Sequence, residues 1–285
     1  MTPAGCDPLA GRDRRLTPYS GSVALRSLTG EVEAISFTDG RPARVVVPVV
    51  DLCDAPEGAR DRQLLFGASV TVVDERAGWA FVQAEADGYC GWVGLPALGE
   101  ARAATHIVRA PATHIYCEAS IKRGEVMALS MGATLTVLRE EGPFAVTEEG
   151  FVPRPHLRPL DQPESDPATV AERLLGAPYL WGGNGYDGID CSGLVQAAFA
   201  GCGIACPGDS DLQWKSFGQE LLDETPIQRG DLFFWRGHVA MAVSETQLVH
   251  ANGHAMAVSH EPIRETMARI QAAGEGAYLG RKRRL

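Results

Sequence analysis

The fold is decided by the stretch Pro178-Tyr-Leu-Trp-Gly-Gly-Asn-Gly-Tyr-Asp-Gly-Ile-Asp-Cys-Ser-Gly-Leu-Val195. A glycine-rich loop leads into Cys191, which opens an apolar segment that we expect to be a helix to about Ala200. Unpaired N–H groups and the macrodipole at a helix N-terminus favour a thiolate, and the backbone N–H of Cys191 can donate to an oxyanion. Cys191 is therefore a candidate nucleophile, although a buried cysteine at a helix start also fits inert packing.

Two histidines follow on apolar, strand-like runs, in His238-Val-Ala-Met-Ala-Val243 and Gln247-Leu-Val-His-Ala251. Alternation along the first run places Val239, Met241 and Val243 toward the core. It leaves His238 beside only Ala240 and Ala242, and we expect open space there. His250 would stand next to His238 and orient its ring. A cysteine, a base and a group that orients the base are the parts of a thiol acyl-transfer site, although each histidine alone also fits a structural role.

Composition bounds the class of protein. A chain of 285 residues with 45% hydrophobic and 22% charged residues predicts two or three soluble globular domains. The net charge of −10 disfavours nucleic-acid binding. The sequence has no apolar run of about 18 residues, so we expect no membrane span. The start lacks the pattern of a secretory signal, so together with seven scattered cysteines it predicts a reducing cytoplasm. Cys202 and Cys206 have no partner pair at metal spacing, so we expect neither metal nor cofactor.

The chain is predicted to have four parts, of which the first three precede the helix that Asp166 caps. Residues 1–43 are an N-terminal extension, partly ordered; residues 44–100 carry short strand-like runs, among them Val45–Val50, at the spacing of a small barrel. Residues 101–160 repeat that order, which indicates an internal duplication. The four prolines of 153–163 favour a semi-rigid spacer. Residues 164–285, with helices first and antiparallel strands after, predict an α+β domain.

Several motifs in order resemble the NlpC/P60 family of cell-wall peptide hydrolases. They are Pro178-Tyr-Leu-Trp-Gly-Gly183, Asp190-Cys-Ser-Gly-Leu-Val195, Arg229-Gly-Asp-Leu-Phe-Phe234, His238-Val-Ala-Met-Ala-Val243 and Val249-His-Ala251. Gln63-Leu-Leu-Phe-Gly67 and Gly88-Tyr-Cys-Gly-Trp92 are similar to bacterial SH3 motifs. Within the family, the pattern resembles the γ-D-glutamyl-L-diamino acid endopeptidases that carry two SH3-like domains. The resemblance implies two small SH3-like β-barrels followed by an α+β papain-like catalytic domain.

The resemblance also implies roles for individual residues. Cys191 would be the nucleophile, His238 the general base and acid, and His250 the orienting third residue. Near them we expect a hydroxyl donor to the oxyanion and groups that contact substrate: Tyr179, Trp181, Asp190, Ser192 and Ser210. For Asp190, a role as a helix N-cap is equally open. In this subgroup the first SH3-like domain closes one end of the cleft and recognises the free amino group of the substrate. The resemblance implies that Asp61 and Tyr89 would bind that amino group here.

The resulting hypothesis is a cytoplasmic cysteine peptidase that recycles small murein peptides. It would cut the γ-D-glutamyl to L-diamino acid bond of a peptide with a free N-terminal L-Ala, without nucleic-acid or membrane partners. The preferred diamino acid and the oligomeric state stay open. The alternatives are a secreted hydrolase of intact wall, a thiol amidase or acyltransferase on the same scaffold, and a non-catalytic wall-binding module.

Overall fold

The computed structural model of the protein describes Leu9 and residues 11–284. Cys6 and most of the first ten residues of the predicted extension lie outside the described residues. The chain divides into two compact units, Met1–Ala103 and Ala104–Leu285. No described helix has both the length and the apolar character needed to cross a bilayer.

The first unit is built from short strands. They are β1 (Val23–Leu25), β2 (Ser36–Thr38), β3 (Arg41–Val45), β4 (Val49–Cys53), β5 (Arg60–Leu65), β6 (Ser69–Arg76), β7 (Trp79–Ala84), β8 (Cys90–Gly94) and β9 (Leu98–Glu100). One seven-stranded sheet has the order β5-β4-β8-β7-β6-β3-β9. The strand expected over Val45–Val50 was wrong: β3 ends at Val45 and β4 begins at Val49, because Pro48 has no N–H to continue a ladder.

A second set of strands begins the second unit. It comprises β10 (His106–Val108), β11 (Ala112–Tyr116), β12 (Glu125–Ser130), β13 (Thr134–Leu135), β14 (Arg139–Glu141), β15 (Phe144–Val146), β16 (Phe151–Pro153) and β17 (Leu157–Pro159). Here β10 pairs with β13 and β17, β11 with β12 and β16, and β15 with β14 and β16. The first unit pairs β3 with β6 and β9, β4 with β5 and β8, and β7 with β6 and β8. The two sets therefore share a pairing scheme with one difference. The single strand β6 pairs with both β3 and β7, whereas two separate strands, β13 and β14, pair with β10 and β15.

The expected spacer over 153–163 was wrong in its first half. Leu157–Pro159 is a strand of the second set and pairs with β10. Arg158 within it is 8% exposed. Its guanidinium donates to the carbonyls of Gln162 at 2.6 Å and Gly201 at 2.9 Å. This segment therefore ties the second strand set to the helical part that follows.

The remaining elements form an α+β arrangement. They are α1 (Pro167–Glu172), β18 (Asn184–Gly185), β19 (Gly188–Ile189), α2 (Cys191–Gly201), α3 (Ser210–Ser216), β20 (Gln219–Leu221), β21 (Leu232–Trp235), β22 (His238–Ala242), β23 (Gln247–Asn252), β24 (Ala257–Pro262), α4 (Ile263–Ala273) and β25 (Tyr278–Arg283). The main sheet has the order β20-β25-β21-β22-β23-β24. Leu194 and Val195 of α2 pack in one core with Val239 and Met241 of β22.

The opposite face of this sheet is covered by α4. Ile263 and Ile270 of α4 pack in a second core with Ala240, Ala242 and Leu248. Both alanines are fully buried. A helix that the sequence reading overlooked therefore covers the face that carries the two alanines, while His238 at the start of the strand is only half-buried. Each face of the sheet carries a helix layer, and the two histidine-bearing strands, β22 and β23, run between them.

Candidate active site

The glycine-rich loop is fixed to the start of α2 by one carboxylate. Asp190 caps the helix by accepting from the Gly193 N–H at 2.7 Å, and it accepts from the Gly182 N–H at 2.9 Å. The Ser192 hydroxyl donates to the same carboxylate at 2.9 Å. These bonds occupy both carboxylate oxygens and the buried serine hydroxyl. The capping role left open for Asp190 is the observed one, and substrate contact by Asp190 and Ser192 stays a prediction.

Close packing also fixes the loop at Gly193. A Cβ there would lie 2.6 Å from the carbonyl oxygen of Gly183, well inside van der Waals contact. Glycine at this position lets the loop backbone reach the first turn of α2. The sulfur of Cys191 is thereby placed at the start of the helix, where Asp190 and Ser192 flank it.

The Cys191 thiol is held in its neutral form. The residue is 5% exposed, and burial, followed by the charge of Asp190, raises the pKa of the thiol to about 12. The backbone N–H groups of Val239, Ser192 and Cys191 itself face the sulfur and lower that pKa by less. The helix N-terminus therefore favours the thiolate as expected, but burial has the larger effect on this pKa. The contact with Val239 nevertheless sets the sulfur beside the residue that follows His238.

The two histidines meet as the sequence spacing indicates. Nε2 of His238 and Nδ1 of His250 lie 2.9 Å apart. The register of β22 and β23 pairs Met241 with Val249 and Ala242 with Leu248, which puts His250 on the face that carries His238. His250 is fully buried. With Nε2 of His238 engaged, its Nδ1 is the ring nitrogen left for the thiol proton.

The imidazole of His238 is also neutral at rest. Burial, followed by the neighbouring His250 and Arg269, lowers its pKa to about 3, and Glu261 opposes them. The indole of Trp235 lies beside this ring, with the ring centroids 5.7 Å apart. Burial of Cys191 and of His238 therefore favours the uncharged form of each side chain.

Two residues extend this arrangement beyond the expected site. Nε2 of His250 lies 2.9 Å from Oε2 of Glu261 on β24. The guanidinium of Arg269 on α4 donates two hydrogen bonds to the same carboxylate, from Nε to Oε1 at 2.8 Å and from Nη2 to Oε2 at 2.7 Å. Sequence reasoning missed both residues. The available signal was the apolar spacing Ile263, Met267 and Ile270, which marks a helix that carries Arg269 back over the strand of Glu261.

The remaining expected groups of this unit differ in placement. Tyr179 is half-buried. Burial raises the pKa of its hydroxyl, and the negative charge of Asp190 adds to that effect, so the hydroxyl stays protonated and able to donate. Trp181 is 67% exposed. Ser210 opens α3, but the side chain of α3 that contacts α2 is the buried Gln213, which donates to the Ser192 carbonyl at 3.0 Å.

Asp61 and Tyr89 lie in the first unit, where their surroundings differ from expectation. The carboxylate of Asp61 accepts two hydrogen bonds from Arg14, at 2.7 and 2.8 Å. Tyr89 is 1% exposed and lies under the guanidinium of Arg62, 5.0 Å from the ring centroid. The Arg14 cation interacts with both Asp61 and Tyr89, so these three groups form one cluster. The ring of Tyr89 is therefore not exposed for contact with a substrate.

Within residues 11–284, no group of three or more His, Cys, Asp or Glu side chains is arranged to hold a metal ion.

Comparison with known proteins gives matches over both units. Residues 176–273 match the NlpC/P60 family, and residues 52–98 match the bacterial dipeptidyl-peptidase Sh3 domain. The chain is 28% identical over 214 residues to a gamma-D-glutamyl-L-lysine dipeptidyl-peptidase of Bacillus subtilis, covering 66% of this chain and 71% of the relative. A protein of the same name from Bacillus cereus is 27% identical over 256 residues, covering 77% and 75%.

A solved structure gives the same fold. The crystal structure of an NlpC/P60 family protein from Bacillus cereus superposes with a TM-score of 0.72 at 22% identity, covering 86% of this chain and 99% of that one. At this identity the likeness concerns the fold. The chain thus carries an NlpC/P60 domain preceded by a bacterial SH3 domain, and it is homologous to the gamma-D-glutamyl-L-lysine dipeptidyl-peptidases.

Proposed function

We propose that this protein is a cysteine peptidase that hydrolyses the γ-D-glutamyl to L-diamino acid bond of murein peptides bearing a free N-terminal L-Ala. The observation that carries the proposal is the 2.9 Å contact between Nε2 of His238 and Nδ1 of His250, which leaves Nδ1 of His238 for a thiol. The names of the homologues, gamma-D-glutamyl-L-lysine dipeptidyl-peptidases, support the bond and the substrate class.

The proposed reaction proceeds through a thioester. His238 takes the proton of Cys191 as the sulfur attacks the carbonyl carbon of the γ-glutamyl amide. The oxyanion accepts from the backbone N–H of Cys191 and from the Tyr179 hydroxyl. The imidazolium of His238 then protonates the leaving amine of the diamino acid, and the C–N bond breaks. A water that gives its proton to His238 attacks the thioester and releases the acid and the free thiol.

We propose that Asp61 recognises the free amino group of the substrate. Its carboxylate already holds a cation, the guanidinium of Arg14, through two hydrogen bonds. A carboxylate that pairs with a guanidinium in this way also suits an ammonium. An N-acylated peptide lacks that charge and would gain no ion pair with Asp61, which gives discrimination against it. In this proposal the buried Tyr89 packs against the cluster of Arg14 and Asp61 and does not contact the substrate.

Two further proposals concern organisation and compartment. The shared pairing scheme supports a second SH3-like domain formed by β10–β17. We also propose a cytoplasmic role in recycling released peptides. It is supported by the cysteines in the described part of the chain, Cys53, Cys90, Cys117, Cys191, Cys202 and Cys206, which are all free thiols. A reducing compartment suits an enzyme whose nucleophile is a thiol.

The test is an assay on defined substrates followed by mass spectrometry. The purified protein is incubated with L-Ala-γ-D-Glu-diaminopimelate, with the N-acetylated peptide and with intact sacculi, each with and without an added amine. The proposal predicts L-Ala-D-Glu and free diaminopimelate from the first substrate only, and no product from Cys191→Ala or His238→Ala. Release of peptides from sacculi would favour a wall hydrolase instead. An amide formed with the added amine would favour an acyltransferase.

A further inference from the structure

The thiol site continues past the third residue into a buried chain of polar groups. From His238 the contacts run through His250 to Glu261 and then to Arg269, each step within 2.9 Å. Glu261 is two residues from Ser259, which lies opposite His250, so it occupies the diagonal position on the same face of β23 and β24. The carboxylate side chain is 15% exposed and that of Arg269 is 20% exposed.

The carboxylate at the end of this chain determines where the protons lie. An ionised carboxylate only accepts, so Nε2 of His250 must carry a hydrogen and donate to Glu261. A neutral imidazole has one N–H, so Nδ1 of His250 is then a lone pair and accepts from Nε2–H of His238. Nδ1 of His238 is consequently unprotonated, which is the form that can remove a proton from Cys191. A histidine in the third position alone would leave both tautomers open.

We propose that Glu261 is a positioning residue that fixes the tautomers of His250 and His238, with Arg269 holding Glu261 ionised and in place. This inference rests on the proposed function, since it assigns Glu261 a task in the same thiol chemistry. When His238 becomes an imidazolium during attack, the carboxylate also stabilises that charge through His250. The site is therefore a relay of four side chains behind the nucleophile, in which His250 transmits the effect of Glu261.

The charges around the relay support this assignment. Partial burial alone raises the pKa of Glu261, but hydrogen bonds from His250 and Arg269 outweigh it and hold that pKa well below its usual range. The other titratable or charged groups that face the relay are Cys191 of α2 with its neighbours Asp190 and Tyr179, Arg269 of α4, and Glu275, which lies 3.5 Å from Arg269. Of these, only Arg269 is a cation, and it opposes protonation of His238 while Glu261 favours it.

The test compares two variants and one matched control. Glu261→Gln keeps the shape of the side chain but removes the charge. Arg269→Met removes the cation and leaves the carboxylate in place. Glu275→Gln is the control, because it removes a second carboxylate from the same arginine, at 59% exposure, without reaching His250. For each protein we would measure kcat and KM on the murein peptide, the pH profile of kcat/KM, and the alkylation rate of Cys191 by iodoacetamide.

The relay predicts that Glu261→Gln lowers kcat about 100-fold with KM changed less than about threefold, and slows alkylation of Cys191 to a similar degree. Arg269→Met should move the acidic limb of the profile to higher pH, because loss of the cation makes His238 easier to protonate. Glu275→Gln should behave as the wild type does. If Glu261→Gln keeps kcat, alkylation rate and pH profile within about threefold of the wild type, the relay is wrong.

Two measurements keep the outcome decisive. Should Glu261→Gln fail to fold, judged by loss of its thermal transition, the acidic limb of Arg269→Met decides, and an unmoved limb overturns the proposal. Should the wild type leave the murein peptide intact, the proposed function fails, but alkylation of Cys191 does not depend on substrate and still tests the relay. An alkylation rate that Glu261→Gln leaves unchanged would then reject the relay independently.

Discussion

The guanidinium of Arg14 holds the carboxylate of Asp61 through two parallel hydrogen bonds, at 2.7 and 2.8 Å. Arg14 belongs to a short 3-10 helix, Arg14–Leu16, in the segment predicted to be only a partly ordered extension. The side chain of Asp61 is 17% exposed and that of Arg14 is 46% exposed. The residue proposed to read the substrate's amino group is thus already paired with a cation from its own chain.

Removal of Arg14 should therefore favour binding of the amine. We expect Arg14→Ala to raise kcat/KM for L-Ala-γ-D-Glu-diaminopimelate by roughly 3- to 10-fold, mainly through KM, because the ammonium no longer displaces a guanidinium. Steady-state kinetics on the free and N-acetylated peptides give the readout. Arg26→Ala is the control, since Arg26 pairs with Asp39 on the exposed surface of the same unit. If Arg14→Ala, Asp61→Ala and the wild type all have the same kcat/KM, Asp61 has no part in substrate recognition.

The resting protonation of the thiol gives a second prediction. Because burial raises the pKa of Cys191 to about 12, the fraction of thiolate should increase about tenfold per pH unit through neutral and mildly alkaline pH. The alkylation rate of Cys191 by iodoacetamide should rise accordingly, without a plateau below about pH 9. Peptide mapping separates this signal from that of the exposed Cys117, which serves as an internal control for the reagent. A plateau at acidic or neutral pH would indicate a stable thiolate–imidazolium pair instead.

Packing at the loop gives a third prediction. Gly193→Ala places a Cβ 2.6 Å from the Gly183 carbonyl oxygen, and this backbone atom cannot move without shifting the loop. We expect a loss of about 1–3 kcal/mol in the free energy of unfolding and a marked loss of peptidase activity, since Cys191 moves with the loop. Urea denaturation and the peptide assay measure the two effects. Gly253→Ala is the control, because its Cβ meets no atom within 4 Å. Wild-type values for Gly193→Ala would show that the loop adapts freely.

Local sequence signals were sufficient for the framework of the site. Asp190 and the glycines before it predicted the start of α2 at Cys191, and strict alternation predicted the inward faces of Val239 and Met241, both of which pack against that helix. The spacing of twelve residues between His238 and His250 predicted adjacent antiparallel strands. Each of these features depends on contacts between residues close in sequence, which periodicity and capping report well.

The parts that sequence reasoning missed depend on burial by distant elements. The pKa of Cys191 follows from enclosure between α2 and the sheet, which outweighs the helix N-terminus. The face beside Ala240 is closed by α4, more than twenty residues later in the chain. Glu261 sits in an alternating strand that looks solvent-exposed until Arg269 and His250 are placed against it. Likewise, Arg14 reaches Asp61 across 47 residues of sequence.

The central claim is that the sulfur of Cys191 and Nδ1 of His238 act on the same bond. The most direct measurement is treatment of the native protein with 1,3-dibromoacetone, which alkylates a thiol and then a nucleophile within reach, followed by digestion and mass spectrometry. The account predicts a single bridge that joins the peptide of Cys191 to that of His238, absent in His238→Ala. Complete single alkylation of Cys191 without a bridge to His238 would contradict it.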